Sequence, residues 1–188
     1  MRYDRRVTTY LCTDDIFLQH RPQGEHPERP ERLVAIVRAL HESGLLGQLQ
    51  QVPPRPATQE ELSRVHSAQY LSDLENRIGP KAQATGSGWL DPDTYYGPGS
   101  YQAALYAAGG AIDLSLRVFH SQADNGFALV RPPGHHACRE RAMGFCLLNN
   151  IAAAAFAVRA AGGRVAIVDF DVHHGNGTEQ ILTGTGPQ

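Results

Sequence analysis

Between residues 126 and 170 the chain runs GFALVRP, then NNIAAAAFAVRAAG, then RVAIVDF. Two short apolar runs of strand length bracket an alanine-rich stretch of helix length. Strands joined through a helix pair in parallel, because an antiparallel neighbour needs only a tight turn. Parallel sheets bury both faces, so this one unit points away from all-α and open antiparallel architectures. It predicts an α/β domain with helices on both faces of a parallel sheet.

The rest of the chain fits that unit. VTTYLCT (7–13) is rich in β-branched residues and reads as the first strand. Pro30 reads as a first-turn proline, and Leu33, Ile36, Val37 and Leu40 follow at helical spacing until Gly44 stops the helix. Thr58 with Glu61 forms a capping box, predicting one helix through Leu62, Val65, Tyr70 and Leu74. Residues 79–99 lack periodicity, and Trp89, Tyr95 and Tyr96 in them favour an ordered loop. SYQAALYAAGGAIDLSLRVF (100–119) is a helix whose Ala/Gly face suits close packing on a sheet.

At 188 residues the expectation is a single domain, 1–188. All but one of the 17 basic residues are arginine, the exception being Lys81, and no basic run marks a nucleic-acid surface. The longest apolar run, IAAAAFAV (151–158), is far below the ~20 residues of a membrane span. Residues 1–15 lack the apolar core of a signal peptide, so a cytoplasmic protein is expected. Cys12, Cys138 and Cys146 form no CxxC pair and read as reduced thiols.

Chemistry gathers at the ends of the last two strands. RVAIVDF turns abruptly acidic, and Asp169, Asp171 and His173 fall at period two, on one side of an extended chain. GFALVRP delivers His135 and His136 to the same edge, where ligands bind parallel sheets. Two carboxylates among imidazoles are balanced most simply by a cation, and an oxygen–nitrogen donor set suits zinc or a similar divalent metal.

The segments HPERPERL (26–33), RPPGHHA (131–137), GFCLLNN (144–150) and VDFDVHHGNGTE (168–179) resemble the histone deacetylase superfamily, in particular its class II and bacterial acetylpolyamine-amidohydrolase branches. The resemblance implies a three-layer arginase/deacetylase-like fold and hydrolysis of an acylated amine such as acetyl-lysine or acetylpolyamine. It makes Asp171 and His173 zinc ligands and His135 and His136 the catalytic pair, His135 held by Asp169 and His136 by Asn176. His136 becomes the general base that takes a proton from the attacking water and returns it to the leaving amine. Asn176 stands where the class I pattern has aspartate, and a neutral partner leaves its histidine less basic. Phe145 resembles a wall of the substrate channel, the Gly144 carbonyl an acceptor for the substrate amide, and Asp93, or alternatively Asp91, a rim aspartate. A structural potassium using oxygens of Asp169, Asp171 and His173 is also implied. His26 and Arg32 match a block near the pocket base; His20, His41, His66, His120 and His174 carry no assigned chemistry. Gly175, where the arginase relatives place a metal-bridging aspartate, argues against two manganese ions.

The resembled family takes its third zinc ligand and an oxyanion-stabilising tyrosine from well downstream of HHGNG, and QILTGTGPQ supplies no Asp, His or Tyr. The chain therefore reads as the N-terminal portion of such a domain, its C-terminal half missing, and is expected to be inactive alone, with Asp91, Asp93 and Asp14 as stand-in ligands to test. In the family, later strands separate the one ending at His135 from the one ending at Asp169. Without them, apolar edges should be exposed and the histidine pair should lie far from Asp171. The alternative function is a non-catalytic module binding acyl-lysine or acylpolyamine through the Phe145 channel. An oligomer is compatible with this sequence and is not specified by it.

Overall fold

The computed structural model describes residues 7–80 and 86–184; Lys81 and most of the terminal TGTGPQ lie outside them. Three parallel strands form the sheet in the order β2 (Gln50–Gln51), β1 (Thr9–Cys12), β5 (Asn125–Ala128). Leu11 pairs with Phe127 and Cys12 with Ala128. Alternation along the strands sorts two cores. Cys12 and Ala128 face α4 (Ser100–Phe119), where Gly110 lets the helix backbone approach the Cys12 sulfur. Leu11 joins Phe17, Leu129 and Leu33 of α1 (Pro30–Glu42) in a second cluster. α4 packs along α5 (Asn150–Ala160), and both bury alanines, so their backbones come close.

Helix starts follow the local chemistry. Pro30 opens α1, and α2 (Gln59–Ser63) carries the complete Thr58–Glu61 capping box. The single helix expected after Thr58 is broken, because Ser67 caps a separate helix, α3 (Ala68–Ile78), by accepting the Tyr70 N–H. That break lets His66 turn inward. Within residues 79–99, β3 (Gly88–Trp89) and β4 (Tyr95–Tyr96) pair antiparallel and bury Tyr95, so the aperiodic stretch contains an ordered hairpin.

RVAIVDF departs most from expectation. It joins no sheet among the described residues, and Val168, Phe170 and Val172 are 84%, 95% and 93% exposed. An open cleft, lined by Ala128, Val130 and His135 on one side and Val168 and Phe170 on the other, separates it from β5. With no strand alongside, its N–H and C=O groups have no ladder to join. The chain then turns into α6 (Asn176–Thr183). Among the described residues no helix is long and apolar enough to cross a membrane.

Candidate active site

Beyond β5 the chain passes Arg131 and reaches the two histidines. Arg131 is 4% exposed, and its guanidinium meets the fully buried Glu28 carboxylate at 2.5 and 2.7 Å. It also donates to the carbonyls of Phe17 and His20, while Tyr95 donates its hydroxyl to Glu28 at 2.6 Å. Burial alone would raise the Glu28 carboxyl, but Arg131 outweighs it and holds the group ionised below the usual carboxylate range. His20, stacked on Tyr95, is held neutral, burial lowering its pKa to about 3. This cluster anchors the start of the histidine loop to the N-terminal loops.

The other end of that loop is fixed by α5 and α6. Asn149 caps α5 and donates to the Ala137 carbonyl and the Thr178 hydroxyl. The Thr178 N–H reaches the His135 carbonyl at 3.1 Å, and Gly177 lies so close to the carbonyls of His136 and Ala137 that a Cβ would collide. His66, which sequence left without a role, bridges the Cys138 carbonyl and the Asn149 N–H. Burial lowers its pKa to about 4, so it works as a neutral donor–acceptor.

These ties bring together residues that a break in the sheet was expected to separate. His135 Nδ1 lies 2.9 Å from Asp169 Oδ2, and His136 Nδ1 lies 2.6 Å from Asn176 Oδ1. The two rings stand 4.0 Å apart, and the His136 ring is 6.1 Å from that of His173. The expectation of distance is therefore corrected: α6 docks on the histidine loop without any sheet pairing of RVAIVDF. The Asp169 carboxyl stays below its usual range because hydrogen bonds from His135 and the Asp171 N–H outweigh its desolvation. Asp171 accepts from the His173 N–H at 2.8 Å and lies 3.0 Å from His173 Nδ1; these bonds hold its carboxyl low.

Phe145 has φ 69°, and its N–H donates to Thr94 at 3.0 Å while its ring packs edge-on against His26 at 4.7 Å. Gly144, at φ 56°, lies under the His136 ring, where a Cβ would collide with it. Its carbonyl accepts from the Cys146 thiol, which burial pushes up to about 12 and keeps protonated. Asp91 accepts the N–H groups of Asp93 and Thr94 and so closes a turn. Asp93 shares neighbours with Phe145: His26 reaches its carbonyl and Thr94 its carboxylate. His174 meets Glu179 at the exposed surface.

Asp171 and His173 are two donors of the kind zinc takes, yet a zinc site draws on three or four protein ligands. Among the described residues no group of three or more His, Cys, Asp or Glu is placed to hold a metal. Asp14 caps a 3-10 turn at Asp15–Gln19 and Asp91 closes its own turn, so neither joins the pair. The set fits part of a zinc site.

The parallel α/β domain thus sets paired, acceptor-backed histidines beside an Asp/His donor pair. The chain belongs to the histone deacetylase family: the Histone deacetylase domain model matches residues 26–186. It is 44% identical over 158 residues to the Histone deacetylase-like amidohydrolase of Pseudomonas aeruginosa, covering 83% of this chain and 40% of the relative. With human Polyamine deacetylase HDAC10 it shares 40% identity over 159 residues, 82% of this chain and 24% of the relative. The solved HDA15 HD domain superposes with a TM-score of 0.87 at 41% identity, covering 94% of this chain and 50% of that one. The fold is thus the arginase/deacetylase α/β fold, and the chain spans half or less of these relatives.

Proposed function

We propose that this chain carries the proton-handling residues and two metal donors of a zinc-dependent amidohydrolase that removes acetyl or other acyl groups from acylated amines. The observation that carries the reading is the pair of rings 4.0 Å apart, each bound through Nδ1, one to carboxylate and one to amide. A histidine that donates Nδ1–H leaves Nε2 free to accept a proton. His136 is the base toward water and then the acid toward the leaving amine; His135, with its carboxylate partner, stabilises positive charge beside it. Phe145 and Asp93 bound the acyl-amine chain. Asp171 and His173 would hold zinc together with a donor from outside the described residues, and zinc bound there polarises the amide carbonyl and acidifies the attacking water. An acylated polyamine or an acylated lysine both present this amide on an alkyl chain; the polyamine reading is supported by the relative named for polyamines.

The test is made on the full-length protein. His136→Ala should lower turnover of acetyl-lysine and acetylpolyamine substrates at least ~10²-fold while metal content stays unchanged. Asp171→Ala and His173→Ala should lose zinc on dialysis. Retained turnover in the first variant, or retained zinc in the other two, overturns the assignments. A second reading rests on the same donor pair, which finds no third partner among the described residues: a module that binds acyl amines without turning them over. Binding with no acetate release from the full-length protein would select it.

A further inference from the structure

Asn176 presents two chemically different edges, and the structure shows what each meets. Its Oδ1 lies 2.6 Å from His136 Nδ1. Its Nδ2 lies 3.4 Å from the Met143 sulfur and 3.7 Å from the Cys138 sulfur. The Cys138 thiol in turn contacts the Met143 sulfur at 3.8 Å and the His136 carbonyl at 3.6 Å.

We infer that the Met143 and Cys138 sulfurs are positioning groups that fix the Asn176 amide and thereby the tautomer of His136. An amide turned by half a revolution would aim Oδ1 at a thioether that has no hydrogen and at a thiol whose S–H is engaged with the His136 carbonyl, and would present N–H to His136 Nδ1. The histidine would then carry its hydrogen on Nε2, the nitrogen the proposed base needs free. In the observed orientation both amide hydrogens face sulfur acceptors and Nδ1–H faces oxygen. A carboxylate at this position accepts through either oxygen and needs no such orientation, so the sulfur pair matters because residue 176 is an amide. The turn that carries Met143 also supplies Gly144 under the His136 ring, so one segment sets both the ring's place and its hydrogen.

The inference rests on His136 being the base for its functional meaning, but its test reads nitrogen chemistry and no turnover. Histidine ring ¹⁵N spectra of the full-length protein near pH 8, with His136 assigned by its loss in His136→Ala, report the tautomer directly. The wild type should show Nδ1–H. Met143→Leu with Cys138→Ala should raise the Nε2–H form roughly fivefold, the effect of removing weak orienting hydrogen bonds. Met143→Leu alone, close in volume, should give a smaller rise and serves if the double variant does not fold. In an Asn176→Asp background the same changes should have no effect. An unchanged tautomer in the Asn176 background, or an equal change in the Asp background, overturns the inference. If the tautomer shifts as stated while the full-length protein releases no acetate, the proposed function alone fails.

Discussion

Single side chains divide here into those of the proposed site and those that hold them in place, and Arg131 leads the second group. Its buried pairing with Glu28 spans the sequence from the first loops to the histidine loop. Removing one partner strands the other charge, so Glu28→Gln or Arg131→Met should each cost about 3–5 kcal/mol in urea unfolding. The double variant should cost less than the sum of the two, and strict additivity would show that the pair is not coupled. His135, His136, Asp169, Asp171 and His173 were singled out by their order and spacing, as adjacent histidines and period-two acids and His at the ends of apolar runs, and Asn176 by the family resemblance alone; the structure brings His135 to Asp169 and His136 to Asn176. The Glu28–Arg131 and His66–Asn149 contacts were not legible, because partners 103 and 83 residues apart leave no local pattern. One signal was there: a charge directly after the apolar run GFALV, entering the core.

Among the elements, α5 shows how one cap can organise a site. Asn149 is fully buried; its Oδ1 accepts the Ala152 N–H and its Nδ2 holds both the histidine loop and α6. Asn149→Ala removes a cap and leaves the Ala137 carbonyl unpaired, which should cost about 2–3 kcal/mol. Asn149→Asp keeps the cap but loses the donor, so it should recover only part of that loss in thermal unfolding; full recovery would show that the cap alone matters. The turn at Met143–Cys146 gives a second prediction. Gly144→Ala should lower turnover of the full-length protein at least ~10-fold through displacement of the His136 ring, as supporting residues commonly do, and wild-type turnover would show that the ring tolerates the contact. Helix starts were read well where the first turn was marked, at Pro30 and Thr58, and the 100–119 helix was read from its small-residue composition. The split between α2 and α3 went unread because apolar spacing continued across it, and the Ser67 cap won over that spacing. RVAIVDF was read as a strand from composition alone, but a strand exists only beside another.

Across the molecule the buried histidines set how the fold meets acid. His20 and His66 have folded pKa values near 3 and 4, below the ordinary 6.5, so as pH falls below about 6.5 the unfolded chain takes protons the native one refuses. Stability is complete above that range and is lost as pH falls toward 4, and Glu28, held ionised in the core, adds loss in the same direction at lower pH. Each histidine should steepen the fall by up to about 1.4 kcal/mol per pH unit; urea midpoints that stay flat from pH 7.5 to 5 would refute it. The two halves of the proposed site also differ in support. The histidine loop is clamped at both ends, whereas Asp171 and His173 sit 50% and 73% exposed on a segment with no ladder. Amide exchange should therefore be slow through residues 134–150 and fast through 164–174. In the proposed site the histidine pair would stand built in advance while the Asp171–His173 arm would be recruited, so affinity for an ion could be tuned along that arm without disturbing the pair.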